Sequence, residues 1–266
     1  MTDQQPPTKL GLTDAELTAH PTAFASGAMK DLFVVVSEPP IQMTRYRLAI
    51  FDFDGTLADS LPWFRASFQD MITRFDLAPV GADEIEGLRG MSGRQIMARL
   101  NVPMWRLPAI VSDMRKRKLA AAGEISLFDG VEEMLSDMQR LGIRTAIVSS
   151  DTEESVRRVL GPVVALVSRF DCGAAIFGKH RKFRRVARQL GIKPADTICI
   201  GDELRDIEAA GAAGMASGAV AWGYAFPAAL QAAGPTHFFS SIAELTHRLA
   251  NAAAIAQDTH ALQGCG

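Results

Sequence analysis

Two aspartates spaced two residues apart, Asp52 and Asp54, stand where the apolar run LAIF (48–51) gives way to the turn residue Gly55. The run has the length of one buried strand, and a glycine soon after it marks the turn. On extended backbone, residues i and i+2 share a face, so the two carboxylates point the same way. Such a pair suits no packing role, because carboxylates are rarely buried without partners. Chemistry would use it as a nucleophile and an acid/base partner, with a cation to offset their repulsion. Polar clusters recur after two later apolar runs: Ser149, Ser150 and Asp151 after 143–148, and Asp202 through Asp206 after 197–200. Lys179 falls near the start of a basic stretch between them.

These clusters need elements that bring them together. Strand-like runs at 48–51, 143–148, 197–200, 216–221 and 237–239 alternate with helical patterns at 129–142, 153–160, 176–190, 206–213 and 242–249. Alternation of this kind predicts an α/β fold, a parallel sheet covered on both faces. Ligands of open parallel sheets bind beyond the carboxyl ends of the strands, where all three polar clusters fall. Asp129 is placed to cap the helix before Gly142, with acids in its first turn. Residues 61–127 read as helices. Phe64, Phe68, Met71, Ile72 and Phe75 form one amphipathic stripe, further helices start near Ala82 and Gly90, and Ser112 to Ala122 forms a basic helix. A crossover of that size is too long for a simple βα connection and is read as an inserted helical domain.

With 266 residues, 48% of them hydrophobic, the chain is long enough for one or two domains with a real core. A net charge of −2 gives no electrostatic reason to expect nucleic acid or an anionic membrane as partner. Three scattered cysteines and five histidines without ligand spacing argue against a disulfide framework or a zinc cluster, and for a reducing, cytoplasmic setting. No apolar run approaches the ~20 residues of a membrane span. Residues 1–44 are rich in Gln, Pro, Thr and Ala, and read as a disordered extension or, given Met43 just before the first strand, a misassigned start. The resulting division is 1–44 extension, 45–61 with 128–250 core, 62–127 helical insertion and 251–266 frayed tail.

The hexapeptide DFDGTL (52–57) resembles the first motif of the haloacid dehalogenase-like hydrolases, most of which are phosphatases, and the resemblance extends over residues 45–250. It implies a Rossmann-like doubly wound sheet with an all-helical cap, and a Mg²⁺ cofactor. In that reading Asp52 attacks phosphorus, and Asp54 protonates the leaving oxygen and then activates water. Asp52, the backbone carbonyl of Asp54, and Asp202 resemble the metal ligands, with Asp206 as the second acid of the fourth motif. Ser149 matches the hydroxyl that binds a phosphate oxygen, and Thr56, Ser150 and Arg94 join it as substrate contacts. The third-motif lysine is Lys179 by its helix-opening position; Lys182, one turn on, stays open, because this chain has KHRK where many such phosphatases have KPxP. The substrate implied is a small, phosphoglycolate-like phosphate monoester, to judge from Asp59-Ser60 and the position of the cap.

Several residues carry a plainer reading. Asp129 and Asp151 read as caps or turn residues. The basic run 179–188 reads as a solvated helix face, with Phe183, Val186, Ala187 and Leu190 left for the core. Lys116 and Lys118, candidates for the Schiff-base lysine that a phosphonate hydrolase would need, likewise read as a solvated face. Arg89 and Arg94 flank a cap-loop break and read either as contacts to an anionic substrate or as surface arginines. A sugar-phosphate mutase and a catalytically silent binding module remain the alternatives to a phosphatase; oligomeric state is left open.

Overall fold

A computed structural model describes residues 46–173 and 178–263, so the reading of 1–44 and the start of the 176–190 helix at Ile176 lie outside the described residues. Six parallel strands form one sheet: β1 (Leu48–Phe51), β2 (Arg144–Val148), β3 (Arg169–Asp171), β4 (Thr197–Gly201), β5 (Ala216–Val220) and β6 (His237–Phe239). Their order is β3-β2-β1-β4-β5-β6. The chain winds outward from β1 to β3, then returns to the other side of β1 with β4. The crevice at that reversal is where open sheets of this kind bind ligands. Phe51 lies level with Ile147 on one side and Ile200 on the other, so the ends of β1, β2 and β4 reach the same edge.

Strand residues alternate between two cores, as a period of two requires. Ala49, Phe51, Ile147, Ile198 and Ile200 face a cluster shared with α5 (Val131–Arg140), α6 (Glu153–Leu160) and α10 (Ile242–Gln263). Leu48, Ile50, Ala146, Val148 and Cys199 face the opposite cluster, filled by Phe183 and Val186 of α7 (Lys179–Gln189) and Ala209 and Ala210 of α8 (Leu204–Ala213). The fold is a doubly wound parallel sheet with an inserted helical cap.

The cap comprises α1 (Leu61–Arg74), α2 (Ala82–Gly87), α3 (Gly93–Arg99) and α4 (Leu107–Ala120). It holds its own apolar cluster, including Phe68, Met71, Ile72, Leu88, Leu100 and Ile110. Ser92 and Gln95 form a capping box at the start of α3. Entry and exit are pinned side by side. Asp59 N donates to Ser126 O at 2.9 Å, Phe128 N to Leu57 O at 3.0 Å, and Ala58 bridges Leu127.

Some elements differ from their sequence patterns. β3 has no apolar run to announce it, being three residues with a charge at each end. α9 (Pro227–Ala232) is a short Ala-rich helix opened by a proline. α10 continues through the Ala-rich segment to Gln263, where fraying from 251 was expected. Gly130, in the left-handed region, takes the N-cap position of α5, and no side-chain cap bond is present, so Asp129 is not its cap. Among the described residues, no helix is long and apolar enough to cross a membrane.

Candidate active site

β1 ends in a buried carboxylate. Asp52 donates its backbone N–H to Ile200 O at 2.8 Å, while its Oδ1 accepts the Phe53 N–H at 2.8 Å. Its Oδ2 lies 2.7 Å from Lys179 Nζ, which also donates to Asp206 Oδ1 at 2.6 Å. Lys179 is the first residue of α7, and Gly178 in the left-handed region turns the chain so that the helix opens towards the sheet edge. Burial acts to raise the Asp52 carboxyl, but Lys179 and Arg205 outweigh it and hold it below the ordinary value. Asp52 is thus a carboxylate kept ionised out of water, which is what a nucleophile requires.

Asp202 follows β4, wholly buried, with Thr56 Oγ1 donating to its Oδ1 at 2.7 Å and Tyr224 N to its Oδ2 at 2.8 Å. Asp206 lies in the first turn of α8 and accepts the Glu203 N–H at 3.1 Å. Carboxylate oxygens of Asp52, Asp202 and Asp206 come within 4.8 Å of one another. Burial, then the negative charges of Glu203, Asp52 and Asp206, push the Asp202 carboxyl well above the ordinary value. Lys179 pairs with Asp52 and Asp206 but not with Asp202, so three buried acids this close carry more negative charge than that lysine neutralises. The donors are hard oxygens only, which suits Mg²⁺ or a similar cation rather than a soft metal. The donor set fits.

Glycines make the cluster possible. Gly55 has φ +74°, and a Cβ there would collide with the Asp202 carboxylate; one at Gly223 would meet Asp202 and the Gly55 carbonyl. One at Gly201 would meet the Asp206 side chain.

Asp54 lies nearer the surface. Ser60 Oγ donates to its Oδ1 at 2.6 Å and lies 2.9 Å from the Tyr224 hydroxyl. The same oxygen is ion-paired to Lys118 of cap helix α4. Lys118 Nζ also reaches Asp151 Oδ2 at 2.7 Å, and both residues are buried. This corrects two readings: Lys118 is not a solvated face, and Asp151 is more than a turn residue. Burial acts to lower the Lys118 ammonium, but Asp54 and Asp151 together raise it, so it stays charged. Beside it, an Arg115 N–H donates to the Ser150 carbonyl.

The remaining predicted residues fall as follows. Ser149 is buried and its Oγ accepts the Asp151 N–H at 3.0 Å. Thr56 turns its hydroxyl to Asp202, so it positions an acid rather than reaching for substrate. Lys182 points to backbone carbonyls, Gly173 O at 2.7 Å and Asp171 O at 3.2 Å, and braces the loop after β3. The basic run is therefore not a solvated face throughout: Lys179 and Lys182 are buried, and Arg185 chelates Asp171 with two bonds of 2.6 Å. Arg89 Nε donates to Tyr224 O at 2.8 Å and its guanidinium stacks on Phe226, tying the cap to the loop after β5. Arg94 lines the cavity beneath the cap. Lys118, Asp151 and Tyr224 were missed, and their partners lie too far away in sequence for spacing to reveal them.

Comparison with known proteins decides the family. The model of the haloacid dehalogenase-like hydrolases matches residues 49–220. The chain belongs to this family. As a haloacid dehalogenase-like hydrolase it is similar to a phosphoglycolate phosphatase of Synechococcus elongatus, 29% identical over 198 residues that cover 74% of this chain and 93% of the relative. A phosphoglycolate phosphatase of Xylella fastidiosa is 32% identical over 189 residues, 67% of this chain and 81% of the relative. Among solved structures, a predicted phosphatase from Clostridium acetobutylicum superposes with a TM-score of 0.67 at 21% identity, covering 77% of this chain and 99% of that one. The last likeness speaks for the fold. Family and relatives together make this hydrolase a phosphatase, an enzyme of the phosphoric monoester class.

Proposed function

We propose that this enzyme is a Mg²⁺-dependent phosphatase that cleaves a small-molecule phosphate monoester through an aspartyl-phosphate on Asp52. The observation that carries this reading is the buried, ionised Asp52 carboxylate, paired with Lys179 inside the acid cluster. An Asp52 oxygen attacks phosphorus, the ester P–O bond breaks, and Asp54, in its acid form, passes its proton to the leaving oxygen. In the second half Asp54 takes a proton from water, the water oxygen bonds to phosphorus, and the Asp52 carboxylate departs. Lys179 bonds to the nucleophile and is placed to neutralise charge on the transferred group. The Ser149 hydroxyl retains a proton to offer a phosphate oxygen. Asp52, Asp202, Asp206 and the Asp54 carbonyl are the groups that would hold the cation. When bound, the cation offsets negative charge on the transferred phosphoryl oxygens.

Lys118 we assign to positioning Asp54. An ammonium held between two carboxylates remains protonated and is not an imine-forming nucleophile, which weighs against a phosphonate hydrolase. The relatives' names put 2-phosphoglycolate first among candidate esters. A near-neutral chain gives no basis for a nucleic-acid partner, and free Cys172 and Cys199 suit the cytoplasmic setting we propose.

The test is phosphate release from 2-phosphoglycolate, sugar phosphates, nucleotides and pyrophosphate, with Mg²⁺ and with chelator. Mg²⁺-dependent release, with phosphate trapped on Asp52 in an acid quench, is expected. Release that persists in chelator would overturn the metal assignment. Interconversion of phosphate isomers without net release would point to a mutase.

A further inference from the structure

Between the cap helices and the sheet edge lies a cavity of about 840 Å³. Asp54, Lys118, Lys179 and Tyr224 line the end nearest the reacting groups. Away from them Trp63, Phe64, Met91, Val111 and Met114, all at least partly exposed, give the wall an apolar stretch that lies among charged residues such as Arg65, Arg94 and Glu208. Cavities of ~300–1,000 Å³ enclose most of a drug-sized ligand, so there is space here for far more than a phosphate and a two-carbon acid. Apolar side chains that face open space forgo the burial that stabilises the rest of the cap, and a contiguous surface of this kind marks a binding site. Unbranched methionines let such a wall adapt to its ligand.

Among the described residues, the lysines and arginines around the cavity are engaged by the protein itself. Lys118 holds Asp54 and Asp151, and Lys179 holds Asp52 and Asp206. Arg65 and Arg89 share Glu86, Arg115 bonds the Ser150 carbonyl, and Arg205 pairs with Glu203. Arg94 is engaged as well. The surface left open to the alcohol is chiefly the apolar wall.

We infer that the substrate is a phosphate monoester whose alcohol carries an extended apolar body. The inference rests on the phosphatase reading and replaces its first candidate ester, 2-phosphoglycolate, with one that has a longer apolar alcohol. The test is kcat/KM of the full chain in Mg²⁺ for n-alkyl phosphates from ethyl to octyl, beside 2-phosphoglycolate. Each added methylene that enters the cavity is expected to raise kcat/KM about 3-fold, placing octyl phosphate at least about tenfold above 2-phosphoglycolate. Met91 stands at the rim, 38% exposed, where the fold can accept a charge. Met91→Asp is therefore expected to flatten the rise. A series that is flat or falls with chain length, with 2-phosphoglycolate the best ester, overturns the inference and leaves the phosphatase standing. A rise that Met91→Asp does not change removes the assignment to this cavity. No release from any ester overturns the phosphatase reading, and the inference with it.

Discussion

At the scale of single residues the site divides its acids by environment. Asp52 is buried against Lys179, whereas the Asp54 side chain is 23% exposed and shares its Oδ1 between Ser60 and Lys118. Asp52→Asn is expected to lower turnover by at least about 10³-fold without loss of the folded state, since a carboxamide removes the proposed nucleophile and keeps the shape. Phosphate release measured beside circular dichroism checks this; turnover near wild type would remove Asp52 from the role. Lys118→Ala is a different kind of change. It leaves Asp54 and Asp151 facing each other without their cation. A broken buried pair costs about 3–5 kcal/mol, and the low end applies because Asp54 is partly wet. The loss of activity, about 10²-fold, is expected in kcat more than in KM, because in the proposed mechanism the residue acts through the acid/base group. A Lys118→Ala enzyme with unchanged kcat would make the lysine a purely structural tie between cap and core.

At the scale of elements, the acids are held by close approaches that only glycine allows. Gly223 on the loop after β5 abuts both Asp202 and the Gly55 carbonyl, so Gly223→Ala must displace the Asp202 carboxylate. If Asp202 holds Mg²⁺ as proposed, the Mg²⁺ concentration for half-maximal activity is expected to rise about 10- to 100-fold, the usual effect of disturbing a ligand's support. A Mg²⁺ titration of the variant that matches wild type would dissociate Gly223 from the metal site. The sequence shows the parts of this arrangement that are local. Asp52 and Asp54 are legible because a spacing of two on a strand end is a short-range signal, and β1, β2 and β4 because each is an apolar run long enough to stand out. β3 escapes because its pairing comes from the sheet, not from its own three residues. Lys118 escapes for a related reason. It sits in a basic run whose pattern resembles a solvated face, and its burial depends on Asp54 and Asp151, 64 and 33 residues away. Asp151 in turn follows a strand and precedes the N-cap Thr152, to whose N–H its Oδ1 is bonded at 2.6 Å, so its local role as a turn residue hides the distant one.

At the scale of the whole molecule, the last strand and the last helix are tied back to the first strand through one buried imidazole. His237, at the start of β6, places Nε2 2.9 Å from the hydroxyl of Tyr46, which precedes β1. Its Nδ1 lies 3.4 Å from an Arg248 nitrogen on α10. A proton added at Nδ1 would face a guanidinium in a buried place. Burial, and then Arg248, accordingly push the imidazole down to about 4 from an ordinary 6.5. The unfolded chain therefore binds this proton between pH 6.5 and about 4 while the folded chain does not. Its contribution to stability is fully present above pH 6.5 and is lost as the pH falls through that window. The acids Asp202, wholly buried, and Glu203, partly exposed, are raised by desolvation and titrate in the opposite sense, because the folded state keeps their protons to higher pH. The comparison that isolates His237 is consequently between wild type and His237→Gln, both melted at pH 7 and at pH 4.5. The wild-type Tm is expected to fall by roughly 5 °C more than that of the variant over this interval. Equal falls in the two proteins would show that the tie between β6, α10 and the start of β1 does not depend on a neutral imidazole.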